Sequence, residues 1–189
     1  MSISRLKVIT TTLVAAAAAV MLVTPIGAAN GGGAAFKTEG AWVAKVVEIP
    51  TMQWSYSLSP DPSGRRAFIN GSLDVGISLP PPLGPVDSTS PLIGEIVMTG
   101  AATGIYNAQW YGLRKTPYIP GTPSAEVIFI GIASGEFRFV EQGKIEGTHT
   151  LKLYLPSQDA DGDGIPDAGQ TAVFVLPVTT IDTRLPSPR

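Results

Sequence analysis

An antiparallel β-barrel of eight to ten strands is the fold class this sequence predicts. Three observations carry it. Apolar and polar residues alternate with period two in run after run from residue 41 onward, the pattern of strands with one dry and one wet face. Turn signals rich in Gly, Pro, Asp and Ser separate these runs, and no proline falls inside 41–48, 52–59, 67–75, 92–113, 126–140 or 145–155. After residue 29 no stretch keeps a helical period. Consecutive hairpins describe a meander that closes readily into a barrel, and a β-sandwich is the alternative built from the same pattern.

The elements follow in order. Residues 41–48 are β-rich, with valines at 43, 46 and 47. Residues 52–59 alternate strictly, Met52, Trp54, Tyr56 and Leu58 on one face and Gln53, Ser55, Ser57 and Ser59 on the other. Pro60-Asp61-Pro62-Ser63-Gly64 is a turn by composition. Residues 67–75 place Ala67, Ile69, Gly71, Leu73 and Val75 inward. The stretch 79–91 contains five prolines and is the longest irregular loop, a rim or lid of the domain. Residues 92–99 and 105–113 form a hairpin. Residues 126–132 and 136–140 are expected to form another around Ser134-Gly135. Residues 145–155 put Ile145, Gly147, His149, Leu151, Leu153 and Leu155 on one face. Residues 171–178 make the last strand, and 179–189 are expected to be a loose tail.

The first 29 residues read differently. Arg5 and Lys7 precede an uncharged stretch from Val8 to Val23; Pro25 and Gly27 break it, and Gly27-Ala28-Ala29 supplies small residues for cleavage. This is the pattern of a secretory signal helix, too short for a usual membrane span, and it implies a secreted or periplasmic protein with no stable membrane anchor after cleavage. Removing 29 of 189 residues leaves 160, and losing Arg5 and Lys7 takes the formal charge from −2 to −4. Residues 30–39 are a Gly- and Ala-rich leader, and 40–178 form one β domain. The acidic balance excludes nucleic acid as a natural partner. With no cysteine in the chain, stability outside the cell has to come from the core, from a metal, or from both.

One loop has a spacing that chemistry uses. Asp159-Ala160-Asp161-Gly162-Asp163-Gly164-Ile165-Pro166-Asp167 puts carboxylates at positions one, three, five and nine of a tight turn. A hard divalent cation is the natural counter-charge, with side-chain oxygens from Asp159, Asp161 and Asp163, the backbone carbonyl of Ile165, and Asp167 directly or through water. The pattern resembles the calcium loops of thrombospondin type 3 repeats and, more loosely, of EF-hands and dockerins. The resemblance covers nine residues and implies a calcium cofactor. It departs from EF-hands at the twelfth position, where Gln170 stands in place of a bidentate glutamate, and no second copy of the loop is present.

Three further features bear on function. Gly40-Ala41-Trp42 resembles the G-x-W signature of lipocalins, which implies Trp42 closing one end of a barrel. His149, the sole histidine, is expected to point into the β interior, where with Trp54, Ile69 and Leu73 it would line any ligand cavity. The tryptophans, with Tyr106, Tyr111 and Tyr118, could instead form a glycan-stacking platform. No motif of nucleophilic, zinc or phosphate chemistry is found. The sequence therefore describes a secreted, calcium-stabilised all-β binding or structural domain, with a lipocalin-like carrier of a small apolar ligand and a carbohydrate-binding module as alternatives.

Overall fold

The computed structural model describes residues 38–62, 65–74, 79, 82–117 and 119–186. The expected signal helix and nearly all of the leader lie outside these residues. Nine strands are assigned: β1 (Gly40–Val46), β2 (Gln53–Pro60), β3 (Arg66–Asp74), β4 (Ser88–Thr89), β5 (Pro91–Met98), β6 (Thr103–Lys115), β7 (Ala125–Glu141), β8 (Lys144–Tyr154) and β9 (Phe174–Arg184). Every pairing is antiparallel. The two-residue β4 pairs with β6 beyond the end of β5, so these two pieces share one side of β6. The remaining neighbours run β6-β5-β3-β2-β1-β9-β8-β7, and β6 pairs with β7. The sheet is thus a closed eight-stranded up-and-down barrel. Closure leaves none of these eight strands as an edge open to another chain.

The alternation seen in the sequence is what fills the interior. Trp42, Ala44 and Val46 of β1, Trp54 and Leu58 of β2, Ala67 and Ile69 of β3, and Ile145, Leu151 and Leu153 of β8 are all buried. Each fully buried Val, Leu or Ile side chain contributes about 1.5–3 kcal/mol. Outward positions carry Gln53, Ser55, Ser57, Asn70, Glu136, Arg138 and Thr148, which suits water. Trp42 sits near the end where β1 begins. Its indole Nε1 donates to Thr38 O at 3.0 Å, its ring stacks on Tyr56, and Phe139 meets it edge-on. Leu79 and Leu83 of the proline-rich loop are buried in the same core.

Three expectations need correction. No hairpin turns at Ser134-Gly135: β7 runs unbroken for 17 residues and pairs with β6 and β8 along its length. Gly135 was a turn signal by composition, but here it gives room for a neighbouring ring. The last strand does not end at 178. It begins at Phe174 and continues to Arg184, pairing with β8 throughout and with β1 from Thr180 to Arg184. The stretch 179–184 is therefore the seam of the barrel, not a tail. Its inward residues, Thr180 and Asp182, are polar while its outward Ile181 is exposed, so the usual alternation is inverted and its strand character is hidden. Pro177 lies on β9 ahead of the residues that pair with β1, where its missing N–H disturbs only one neighbour.

Candidate functional site

Near the middle of the barrel the interior stops being apolar. Four strands turn polar side chains into the interior: Tyr56 from β2, Tyr106 from β6, His149 from β8, and Thr180 and Asp182 from β9. His149 is 4% exposed and Asp182 6%. The expectation that His149 points inward is borne out, and its place follows from two glycines. A Cβ on Gly147 would collide with His149 Nε2, and one on Gly135 would come within 2.8 Å of Nδ1. Gly135 lies directly opposite His149 in the β7–β8 ladder. The imidazole thus lies along the barrel wall in a slot made by missing side chains. Tyr106 caps it edge-on, with ring centroids 4.5 Å apart.

Two hydrogen bonds tie the group together. Tyr56 Oη donates to Asp182 Oδ2 at 2.6 Å. His149 Nε2 and Thr180 Oγ1 are 2.8 Å apart. In the tautomer protonated on Nε2, Thr180 Oγ1 accepts that proton's bond and Nδ1 keeps a bare lone pair. Three atoms of this group have no partner: His149 Nδ1, Asp182 Oδ1 and Tyr106 Oη. None of the ion pairs among the described residues involves Asp182.

Burial governs the ionisation here. It pushes the Asp182 carboxyl up to about 6, although the Tyr56 hydroxyl and the nearby Thr180 pull the other way. It pushes His149 down to about 4. Burial, reinforced by the Asp182 charge, holds both Tyr56 and Tyr106 above the ordinary phenol range. At neutral pH the group therefore consists of a neutral imidazole, two neutral phenols and a carboxylate that burial disfavours.

Tyr56, Tyr106, His149 and Asp182 border a cavity. Trp54, Leu58, Ile69, Leu92, Ile96, Phe137 and Ile145 complete its walls, and about 40 Å³ inside is open to the centres of water-sized molecules. One water needs roughly 10–15 Å³ on this measure, so the barrel is neither fully packed nor widely hollow. Trp54, Ile69 and His149 thus come together as the sequence predicts. The side chain of Leu73 lies outside the described residues. Asp182 was missed because it falls in the segment expected to be loose; the available signal was an acid two residues after Thr180 and four after Val178, in step with the strand.

The acidic loop is elsewhere, on the outer wall. Gln109 Nε2 and Tyr111 Oη, both outward on β6, donate to Gly164 O, and Ile130, outward on β7, is buried. Ligand atoms of Asp159, Asp161 and Asp167 lie within 4.8 Å of one another. Asp163 is not in that group; its Oδ1 accepts from Ile165 N at 2.8 Å. Backbone bonds already use much of the cluster. Asp159 Oδ2 accepts from Gly164 N, Asp161 Oδ1 from Asp163 N, and Asp167 Oδ2 from Ala160 N. Asp159 Oδ1 is buried without a partner. Gly162 and Gly164 take φ of +73° and +88°, which lets the loop turn this tightly. The glycan-stacking expectation is corrected for the tryptophans: Trp42, Trp54 and Trp110 are all interior, so they offer no exposed platform.

No family model and no curated protein matches the chain. Among solved structures it is similar to EF1p2_mFAP2b bound to DFHBI, with 16% identity and a TM-score of 0.43, over 78% of this chain and 94% of that one.

Proposed function

We propose that this protein is a secreted or periplasmic binding barrel that holds a small, mostly apolar molecule carrying one polar group. The observation that supports the reading is the cavity itself: apolar and aromatic walls, with three unpartnered polar atoms belonging to residues at its border. Preformed ligand sites have this composition, a greasy lining with a few polar groups that fix orientation. An interior kept only for stability would be expected to satisfy those atoms or replace them with carbon. Secretion rests on the sequence of residues 1–29.

Benzyl alcohol is a suitable first probe, followed by the fluorescence of Trp54 and by chemical shifts of His149. Saturable binding is expected, and Ile69→Trp should abolish it by filling the cavity. An unsaturable response, or one unchanged by Ile69→Trp, would sink the reading.

A second reading adds one calcium ion at 159–167. It is favoured by the three carboxylates gathered within 4.8 Å and by the spare, buried Asp159 Oδ1. In this reading Asp159, Asp161 and Asp167 hold the ion, with the Ile165 carbonyl as the backbone ligand, and the ion pins the loop to the outer wall and strengthens the β8–β9 connection.

A further inference from the structure

We infer that the polar end of the cavity receives a primary amine, so that the ligand is a small apolar or aromatic ammonium compound. This rests on reading the cavity as a binding site and names the ligand class that fits it.

The argument is one of charge and acceptors. An ammonium group has three N–H donors, no acceptor and one positive charge. The unpartnered atoms at the cavity border include acceptors for such donors. Asp182 Oδ1 is a carboxylate oxygen. His149 Nδ1 carries a lone pair in the tautomer protonated on Nε2. Tyr106 Oη accepts as readily as it donates. The charge matches as well. Among the described residues Asp182 is the one acid bordering the cavity and makes no ion pair, and burial pushes its carboxyl up to about 6. A cation beside it would reverse that penalty. The surroundings fit in a third respect. Trp54, Tyr56 and Tyr106 border the same space, and aromatic faces attract a cation within about 6 Å.

A neutral alcohol uses these groups less well. It brings a single donor and leaves the carboxylate charge uncompensated. An anionic ligand would face Asp182 with like charge. The geometry therefore ranks amine above alcohol above acid.

The test compares benzylamine with benzyl alcohol, which share a shape and differ in charge, by calorimetric titration of the full chain at pH 7.5. Benzylamine should bind at least about 10-fold tighter, the scale of one charge-assisted hydrogen bond. Asp182→Asn should bring the two ligands within about 3-fold of each other by weakening the amine alone. Tyr106→Phe serves as a second variant, because Tyr106 Oη supports nothing in the fold and its loss should leave stability intact. It should weaken benzylamine several-fold. If the alcohol binds as tightly as the amine, or if Asp182→Asn leaves amine affinity unchanged, the amine inference is overturned while the cavity reading stands. If neither ligand binds the native protein, both fall.

Discussion

The molecule carries carboxylates in two settings, and they behave as opposites. On the outer wall, the cluster between Asp159 and Asp167 is half in water, and backbone N–H groups occupy much of its oxygen. Inside, Asp182 stands alone among rings, with one oxygen held by Tyr56 and the other unused. The outer acids are many, and solvent makes their charge inexpensive. The inner acid is single, and its charge is costly enough to move its ionisation to about 6. A dense acidic motif attracts the eye, yet the cost of a charge depends first on its surroundings.

The sharpest way to break the comparison is through glycine. Gly147→Ala drives a methyl group into the His149 ring, and stability should fall by about 3 kcal/mol. Gly162→Ala in the outer loop meets nothing within 4 Å and suffers only its φ of +73°, which costs about 1 kcal/mol. Thermal unfolding of both variants decides it, and equal losses would mean that the imidazole slot is not tight.

Proton linkage gives the next largest effect. Asp182 has a folded value of about 6, above its ordinary 3.8, so its contribution is present at low pH and is lost as pH rises through 4–6. His149 has a folded value of about 4, below its ordinary 6.5, so its contribution is present at high pH and is lost as pH falls through the same range. Tyr56, Tyr106 and Thr180, the other groups facing them, do not titrate there. The two slopes oppose each other, and the native protein should be nearly flat between pH 4 and 6. Asp182→Asn should then lose about 2 kcal/mol on acidification, and His149→Gln should gain about as much. Denaturant midpoints at pH 4, 5 and 6 measure this; slopes of the same sign in both variants would refute it.

The outer loop should give the smallest effect. Calcium is expected to bind with a dissociation constant on the order of 10⁻⁴ to 10⁻³ M, since the twelfth ligand is absent. At ten times that concentration it should add about 1.4 kcal/mol. Asp161→Asn with Asp167→Asn should abolish the gain, because each Asn keeps an oxygen for the backbone bond and loses the charge. A melting curve unmoved by calcium in the native protein would leave the loop as an acidic turn.

Most of the barrel was legible because period two is a direct consequence of strand geometry. Residues 52–58 and 145–153 announce both their strands and their inward faces, and His149 could be placed from its register with Ile145 and Leu151. What stayed hidden lies where local pattern and global fold disagree. On β9 the inward positions are Thr180 and Asp182, so an alternation detector sees polar residues and records a tail. On β7, Ser134-Gly135 has the composition of a turn, but the missing side chain serves His149 on the next strand. Both failures concern strands that pack around His149, where the sequence departs from what a simple barrel would ask.

The position of Asp182 on the last strand also fixes when the site can exist. β9 pairs with β1, so the seam joins the two ends of the described chain. Contacts so distant in sequence are the slowest to form. A chain emerging from synthesis can fold β2 through β8 as hairpins between neighbours, but among the described residues no acid is buried in its interior until β9 docks. Ring closure and the arrival of the carboxylate are one event. A chain cut before β9 would therefore present an open sheet without Asp182.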